Sequence, residues 1–122
     1  MQTLTITAAD LDQDGFYIGK TDVTDFDGHI EIAADLGLVR FRAALRTAGR
    51  IRSLSGSGIE AGSGIKAGLS ISAKFVFARL RIFAGLCLWR IPSPEEMQIR
   101  AEVRSGTVSH GVLVAPLAGV AE

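Results

Sequence analysis

From Val39 onward the chain alternates. Val39, Phe41, Ala43, Leu45, Thr47 and Ile51 hold odd positions, and Arg40, Arg42, Arg46, Arg50 and Arg52 hold even ones. A two-residue period is the signature of a strand with one buried and one wet face. The odd parity resumes through Ile59, Ala61, Ile65, Ala67, Leu69, Ile71, Ala73, Phe75 and Phe77. A helix would scatter these side chains around its circumference, and Gly56, Gly58, Gly62, Gly64 and Gly68 would each cost about 1 kcal/mol against Ala. Strands average ~5–6 residues. The glycines are therefore expected to mark corners between short strands.

Within the stretch GSGIEAGSGIKAGLSISAKF, Ile59, Ile65 and Ile71 recur at six-residue intervals, each followed two positions later by Ala61, Ala67 or Ala73. Short strands of one parity, bent at a regular interval, predict the coils of a β-solenoid. Near Ala78 the parity flips, so that Leu80, Ile82, Ala84, Leu86 and Leu88 become the apolar set. One unpaired residue, as a bulge or a tighter corner, would do this. Pro92 and Pro94 then interrupt the ladder. Met97, Ile99, Ala101 and Val103 alternate with Gln98, Arg100, Glu102 and Arg104, and Ser105-Gly106 leads into Thr107 to Val114, which reads as an amphipathic hairpin. Ser93-Pro94-Glu95-Glu96 also carries a helix-start signal, but the alternation behind it favours a strand. At the front, TLTITAAD alternates and HIEIAADLGLVRF alternates less cleanly, while LDQDG and DFDG read as turns. The expected protein is all-β, one short β-solenoid domain. It has an irregular acidic N-terminal cap over 1–38, basic repeat coils over 39–90, and a hairpin cap with a frayed tail over 91–122.

Composition changes this picture little, and charge changes it more. A hydrophobic fraction of 48% and a charged fraction of 21% fit a folded globular chain. The formal net charge of zero conceals three blocks: −7 over residues 1–39, +9 over 40–90 and −2 over 91–122. The lone Cys87, between Leu86 and Leu88, reads as a small buried hydrophobe and points to a reducing compartment. The opening MQTLTITAAD lacks a signal-peptide pattern, and no apolar run reaches the ~20 residues needed to cross a bilayer. The expectation is a cytoplasmic protein in a bacterial host, with no membrane contact.

Candidate chemistry is sparse. Asp10, Asp12, Asp14 and Gly15 match the opening of a calcium loop, but the position that should be a bidentate glutamate is Thr21, so an acidic turn is the favoured reading. His29 and His110 lie beside glycines and read as turn residues. No pair of Cys or His residues has metal-ligand spacing, and no serine stands in a nucleophile elbow. No phosphate loop, catalytic constellation or cofactor site emerges. The basic block is the distinctive feature. Arg40, Arg42, Arg46, Arg50 and Arg52 share one parity, and Arg79 and Arg81 add to the same field. A solvated outer face is the plain alternative, but the block is nearly unmixed. Such a field attracts acidic protein, a nucleic-acid backbone or the acidic N-terminal block of this or a second chain. Aromatic residues for stacking unpaired bases are sparse on that face.

The repeat, together with RLRIFAGLCLWRIPSPEEMQIRAEVRSGTV, resembles small proteins with tandem Gly-x-Ile-Glu-Ala-type repeats carried by phages and other bacterial mobile elements. That resemblance implies a setting in which small proteins without active sites stick to host machinery, anti-CRISPR inhibitors among them. Ile59-Glu-Ala-Gly-Ser63-Gly also resembles the unit of hexapeptide acyltransferases, although Leu69 and Phe75 stand at the small position and neither histidine falls in the repeat. A further resemblance is to bactofilins, short β-helices that polymerise end to end. The function these readings favour is a non-enzymatic binding protein, an anti-defence inhibitor that docks on an acidic host protein or ribonucleoprotein complex. The alternatives are a self-assembling structural β-helix and an acyltransferase fragment. Strand edges at the ends of so short a coil predict a homodimer.

Overall fold

Alternation becomes parallel stacking. The computed structural model describes residues 2–86 and 91–114, so the expectations for Cys87, and for the tail from Pro116 onward, lie outside the described residues. The described chain is all-β: β1 (Gln2–Ile6), β2 (Gly28–Ile32), β3 (Gly37–Phe41), β4 (Leu45–Thr47), β5 (Ile51–Ser53), β6 (Ser57–Ala61), β7 (Ile65–Ala67), β8 (Ile71–Phe83), β9 (Gln98–His110) and β10 (Val112–Val114). Two single-turn 3-10 helices, Ala8–Asp10 and Pro94–Met97, complete it.

Every paired strand is parallel, and the registers sort into three columns. In the first, Leu4, Ile30, Ile51, Ile71, Ile99 and Leu113 stand one above another. In the second, Val39, Ile59, Val76 and Val103 do so. In the third, the stack is Leu45, Ile65, Ile82 and Val108. Ile59, Ile65 and Ile71 thus occupy three different columns. The six-residue interval is the step from one column to the next. Partners within a column are twenty residues apart at Val39/Ile59, Leu45/Ile65 and Ile51/Ile71, because the step from the first column to the second is longer. The extra residues make a tight loop in which Gly56 takes φ +80°, a conformation costly for any residue with a Cβ. Inside that loop the Ser53 hydroxyl donates to the Ser57 carbonyl at 2.7 Å, and the Ser57 hydroxyl to the Ala33 carbonyl at 2.6 Å. Buried hydroxyls in an apolar core need such partners, and no described buried side-chain polar atom lacks one.

The inward residues form one cluster in which Ile30, Ile51, Ile59, Ile65, Ile71 and Ile82 are fully buried. Ala61, Ala67 and Ala73 are buried with them, their small size leaving room where neighbouring columns converge.

Several expectations are corrected. The hairpin is absent: β9 runs unbroken through Ser105-Gly106, and β10 pairs with the start of β9 in parallel, Leu113 against Ile99. A two-residue period is common to parallel and antiparallel strands, so alternation alone could not decide. Gly106 and Gly111, at φ +105° and +109°, bend the chain without reversing it. The N-terminal cap is not wholly irregular either, since β1 belongs to the first column. The parity flip falls between Ala73 and Val76, ahead of the expected position. A register shift between Ser72 and Phe75 turns Phe75 and Phe77 outward and buries Val76 and Ala78. A second shift between Phe77 and Arg81 leaves Leu80 58% exposed rather than buried. Ala43 is likewise exposed, its place in the core taken by Ala44. At Ser93 the helix-start signal and the strand both form: Ser93 N–H donates to the Glu96 carboxylate at 3.1 Å over one turn, and β9 begins at Gln98.

Candidate functional site

The arginines point outward but share no single face, because the chain turns between them. Arg52 lies on the first column opposite Glu31 of β2. Arg40 lies on the second, in register with Glu60 and paired to it at 3.2 Å. Arg42 follows β3, lies over the Phe16 ring at 4.2 Å and reaches Asp12 at 3.5 Å. Arg46 is on the third column, Arg50 on the bend from the third column to the first, and Arg79 and Arg81 on the bend from the second to the third. A charge on a parallel ladder meets the side chain in register on the adjacent strand, ~4.8 Å away. For Arg52 on the first column and Arg40 on the second that neighbour is an acid, while Arg100 on the first has Ser72 and Val114.

The third column breaks this rule. Arg46 of β4 stands in register with Lys66 of β7, and Lys66 with Phe83 of β8. Like charges directly opposite one another are destabilising. Among the described residues neither cation has an acid within ion-pairing distance, and neither do Arg79 and Arg81.

These four cations meet at a corner that glycine makes possible. The bend from the second column to the third is Arg42-Ala43-Ala44 on one level, Gly62-Ser63-Gly64 on the next and Arg79-Leu80-Arg81 on the third. The levels are tied by Gly62 N–H donating to Phe41 O at 2.9 Å and Leu80 N–H donating to Ser63 O at 3.0 Å. A Cβ on Gly62 would overlap the Arg42 carbonyl, and one on Gly64 would lie 2.9 Å from the Arg81 carbonyl oxygen. The middle level therefore carries only the Ser63 side chain, between arginines above and below. Arg46, Lys66, Arg79 and Arg81 line an open groove of about 660 Å³ over this corner, with Phe83 and Thr107 in its wall. Arg79 also borders a second groove of about 430 Å³, between Phe16, Arg42 and Phe77. On the other side, Arg46 and Lys66 form the wall of a third groove of about 840 Å³ that contains Asp25 and Asp27.

The sequence pointed to Arg46, Arg79 and Arg81 but not to Lys66, Phe77 or Phe83 as members of one site. The signal was present: adding the twenty-residue return to Arg46 gives Lys66. It becomes readable only once that return is known.

The other candidates resolve into local structure. The Asp12 carboxylate accepts from Asp14 N–H and Phe16 N–H, each at 2.9 Å, and the Asp10 carboxylate accepts from Thr7 N–H at 3.0 Å. Both tie down turns, and no group of three Asp, Glu, His or Cys residues arranged to hold a metal occurs among the described residues. His29 Nδ1 accepts the Arg50 backbone N–H at 2.9 Å, and burial, then the Arg50 charge, hold its pKa below the ordinary histidine value. His110 Nδ1 donates to the Ala84 carbonyl at 2.6 Å. Burial raises the Tyr17 phenol, whose hydroxyl donates to Thr21 O at 3.0 Å. No helix among the described residues is long and apolar enough to cross a membrane. Comparisons with family models, curated proteins and solved structures found no match to this chain.

Proposed function

We propose that the three columns are the faces of a short β-solenoid, and that the protein works without catalysis, as a rigid docking module that offers its basic corner to an acidic partner surface. The observation that carries this reading is the stacking of Arg46 on Lys66 beside Arg79 and Arg81, with no acid in register or within ion-pairing distance among the described residues. A surface selected only for solvation is served by mixed charge, as on the first two columns, whereas a self-repelling cation cluster is relieved when an anionic partner arrives. A preordered β scaffold also loses little entropy on docking. A host protein or ribonucleoprotein complex fits this reading, and so does the mobile-element, anti-defence setting suggested by the repeat.

End-to-end self-assembly is a second reading, favoured by one feature. Leu113 occupies the first column, stacked on fully buried Ile99, yet is 53% exposed, with no further strand paired beyond it among the described residues.

One comparison tests both readings. Reversing Arg46 and Lys66 to Glu should abolish capture of a partner from host lysate while the melting temperature holds. Reversing Arg40 and Arg52, which already face acids, should leave capture within twofold. Equal loss in both pairs would remove the corner from the proposal. A mass by light scattering that rises with concentration in all variants alike would favour assembly instead.

A further inference from the structure

We infer that the basic corner is a track for single-stranded nucleic acid, an inference that rests on the docking reading and names its partner. Two properties of the corner point there beyond its charge. The first is continuity. The groove over Arg46, Lys66, Arg79 and Arg81 shares Arg79 with the groove between Phe16 and Phe77, whose one acid, Glu60, is paired with Arg40, so cations and aromatic rings lie together along one path around the bend. Interleaved cations and stacking surfaces are the general requirement for holding an unpaired strand, whose phosphates need positive charge and whose bases need a flat partner. An acidic peptide has no use for the second element.

The second property is the state of the aromatic groups. Phe77 and Phe83 are only partly buried, with Phe77 meeting Phe75 edge-to-face at 5.7 Å between ring centroids. The Arg42 guanidinium carbon lies 4.2 Å from the Phe16 ring centroid, and its side chain remains 68% exposed although Asp12 reaches it at 3.5 Å. A guanidinium plane backed by a ring offers a base a stacking surface on its outer side. The Ser63 and Thr107 hydroxyls beside the cations add neutral donors for phosphate oxygens. Asp25 and Asp27, in the groove beyond Arg46 and Lys66, repel phosphate and set the end of the track. No constellation reads base edges, so the binding is indifferent to sequence.

The test uses the full chain and a fluorescent oligouridylate of ~10 nucleotides, a length one small domain can hold, followed by anisotropy. Four cation–phosphate contacts predict that log Kobs falls with log salt at a slope of about −3, at ~0.7 per phosphate for single strands. Arg79→Glu with Arg81→Glu should weaken binding at least tenfold. Phe77→Leu with Phe83→Leu, which keeps apolar bulk but removes the rings, should weaken it several-fold at an unchanged salt slope. Should the charge reversal disturb folding, Arg79→Gln with Arg81→Gln replaces it and should still cost severalfold. A polyglutamate peptide of similar length is the counter-probe. If it binds, the oligonucleotide does not, and the arginine variant loses it, the nucleic-acid inference is overturned while the docking reading stands. If neither probe binds, or the arginine variant binds as tightly as the natural chain, both fall.

Discussion

Arg40 and Lys66 both stand outward on short parallel strands, and they live under opposite conditions. Arg40 finds Glu60 in the next strand at 3.2 Å, whereas Lys66 finds Arg46 on one side and Phe83 on the other. The ladder geometry is the same in both columns, so the difference lies in which residue the chain returns after one turn. Where acids return under bases, the outside is neutral and self-sufficient. At the corner beside the third column, the middle level returns glycine and serine, and the cations above and below it have no acid in register. A stacked fold thus sets the charge of its surface by which residue it returns at each level, and the comparison can be broken from the inside, at the bend, or at its margin.

The largest break comes from inside the third column. Ile65 is fully buried, in register with Leu45 and Ile82, and anchors the strand that carries Lys66. Ile65→Asp removes a side chain worth ~1.5–3 kcal/mol of burial and places a carboxylate where no cation can follow. The combined loss should reach about 4 kcal/mol or more, a large part of the ~5–15 kcal/mol that holds a domain together. Urea unfolding followed by far-UV circular dichroism should show a midpoint far below that of the natural chain, or unfolding without denaturant if the domain's stability lies at the low end of that range. A wild-type midpoint would mean that the third column is not packed as described.

Much of this was legible in the sequence, and the limits of legibility have physical causes. Alternation at Val39 to Phe41, Leu45 to Thr47 and Ile65 to Ala67 reported strands because one face of each is buried and the other wet. It could not report their direction, and the stretch after Met97 was misread as a hairpin for that reason. It reported one parity shift but set it near Ala78, past the irregularity at Ser72 to Phe75, and missed the second at Phe77 to Arg81, which is why Phe75, Phe77 and Leu80 were assigned inward. The arginines were correctly read as outward, because parity alone fixes that. Their grouping was not, since it depends on the twenty-residue return between columns, and the six-residue repeat conceals that return by counting steps between columns instead.

The bend offers the next break. Gly62 has no positive φ, so alanine there meets only the overlap of its Cβ with the Arg42 carbonyl. Opening the stack to make room should cost about 1–3 kcal/mol and pull Arg42 away from Arg79, weakening binding along with stability. Gly37→Ala is the control. Its new Cβ meets nothing within 4 Å, but its φ of +69° is left-handed, so it should lose about 1–2 kcal/mol from the backbone alone with binding intact. If the two variants lose binding equally, the corner owes nothing to its glycine floor.

The smallest effect sharpens the comparison at the opposite bend, where the chain leaves the third column for the first. There Arg50 is exposed and its backbone N–H is held by neutral His29 through Nδ1. Protonating Nδ1 removes that acceptor and sets a positive ring beside the Arg50 charge, while burial already disfavours the charged form. The folded-state pKa therefore lies below the unfolded value of ~6.5. Between those two values the unfolded chain binds more protons, so stability rises with pH. The contribution is complete above about pH 6.5 and is lost as the pH falls through the folded-state value. His29→Ala should flatten this part of the stability–pH curve. Because His29 is only partly buried, the change in slope is small and calls for paired urea titrations of both proteins at about pH 5 and 7.5, either side of the unfolded histidine value. An identical slope in the variant would show that this bend, unlike the corner across the molecule, has no electrostatic stake in its neighbours.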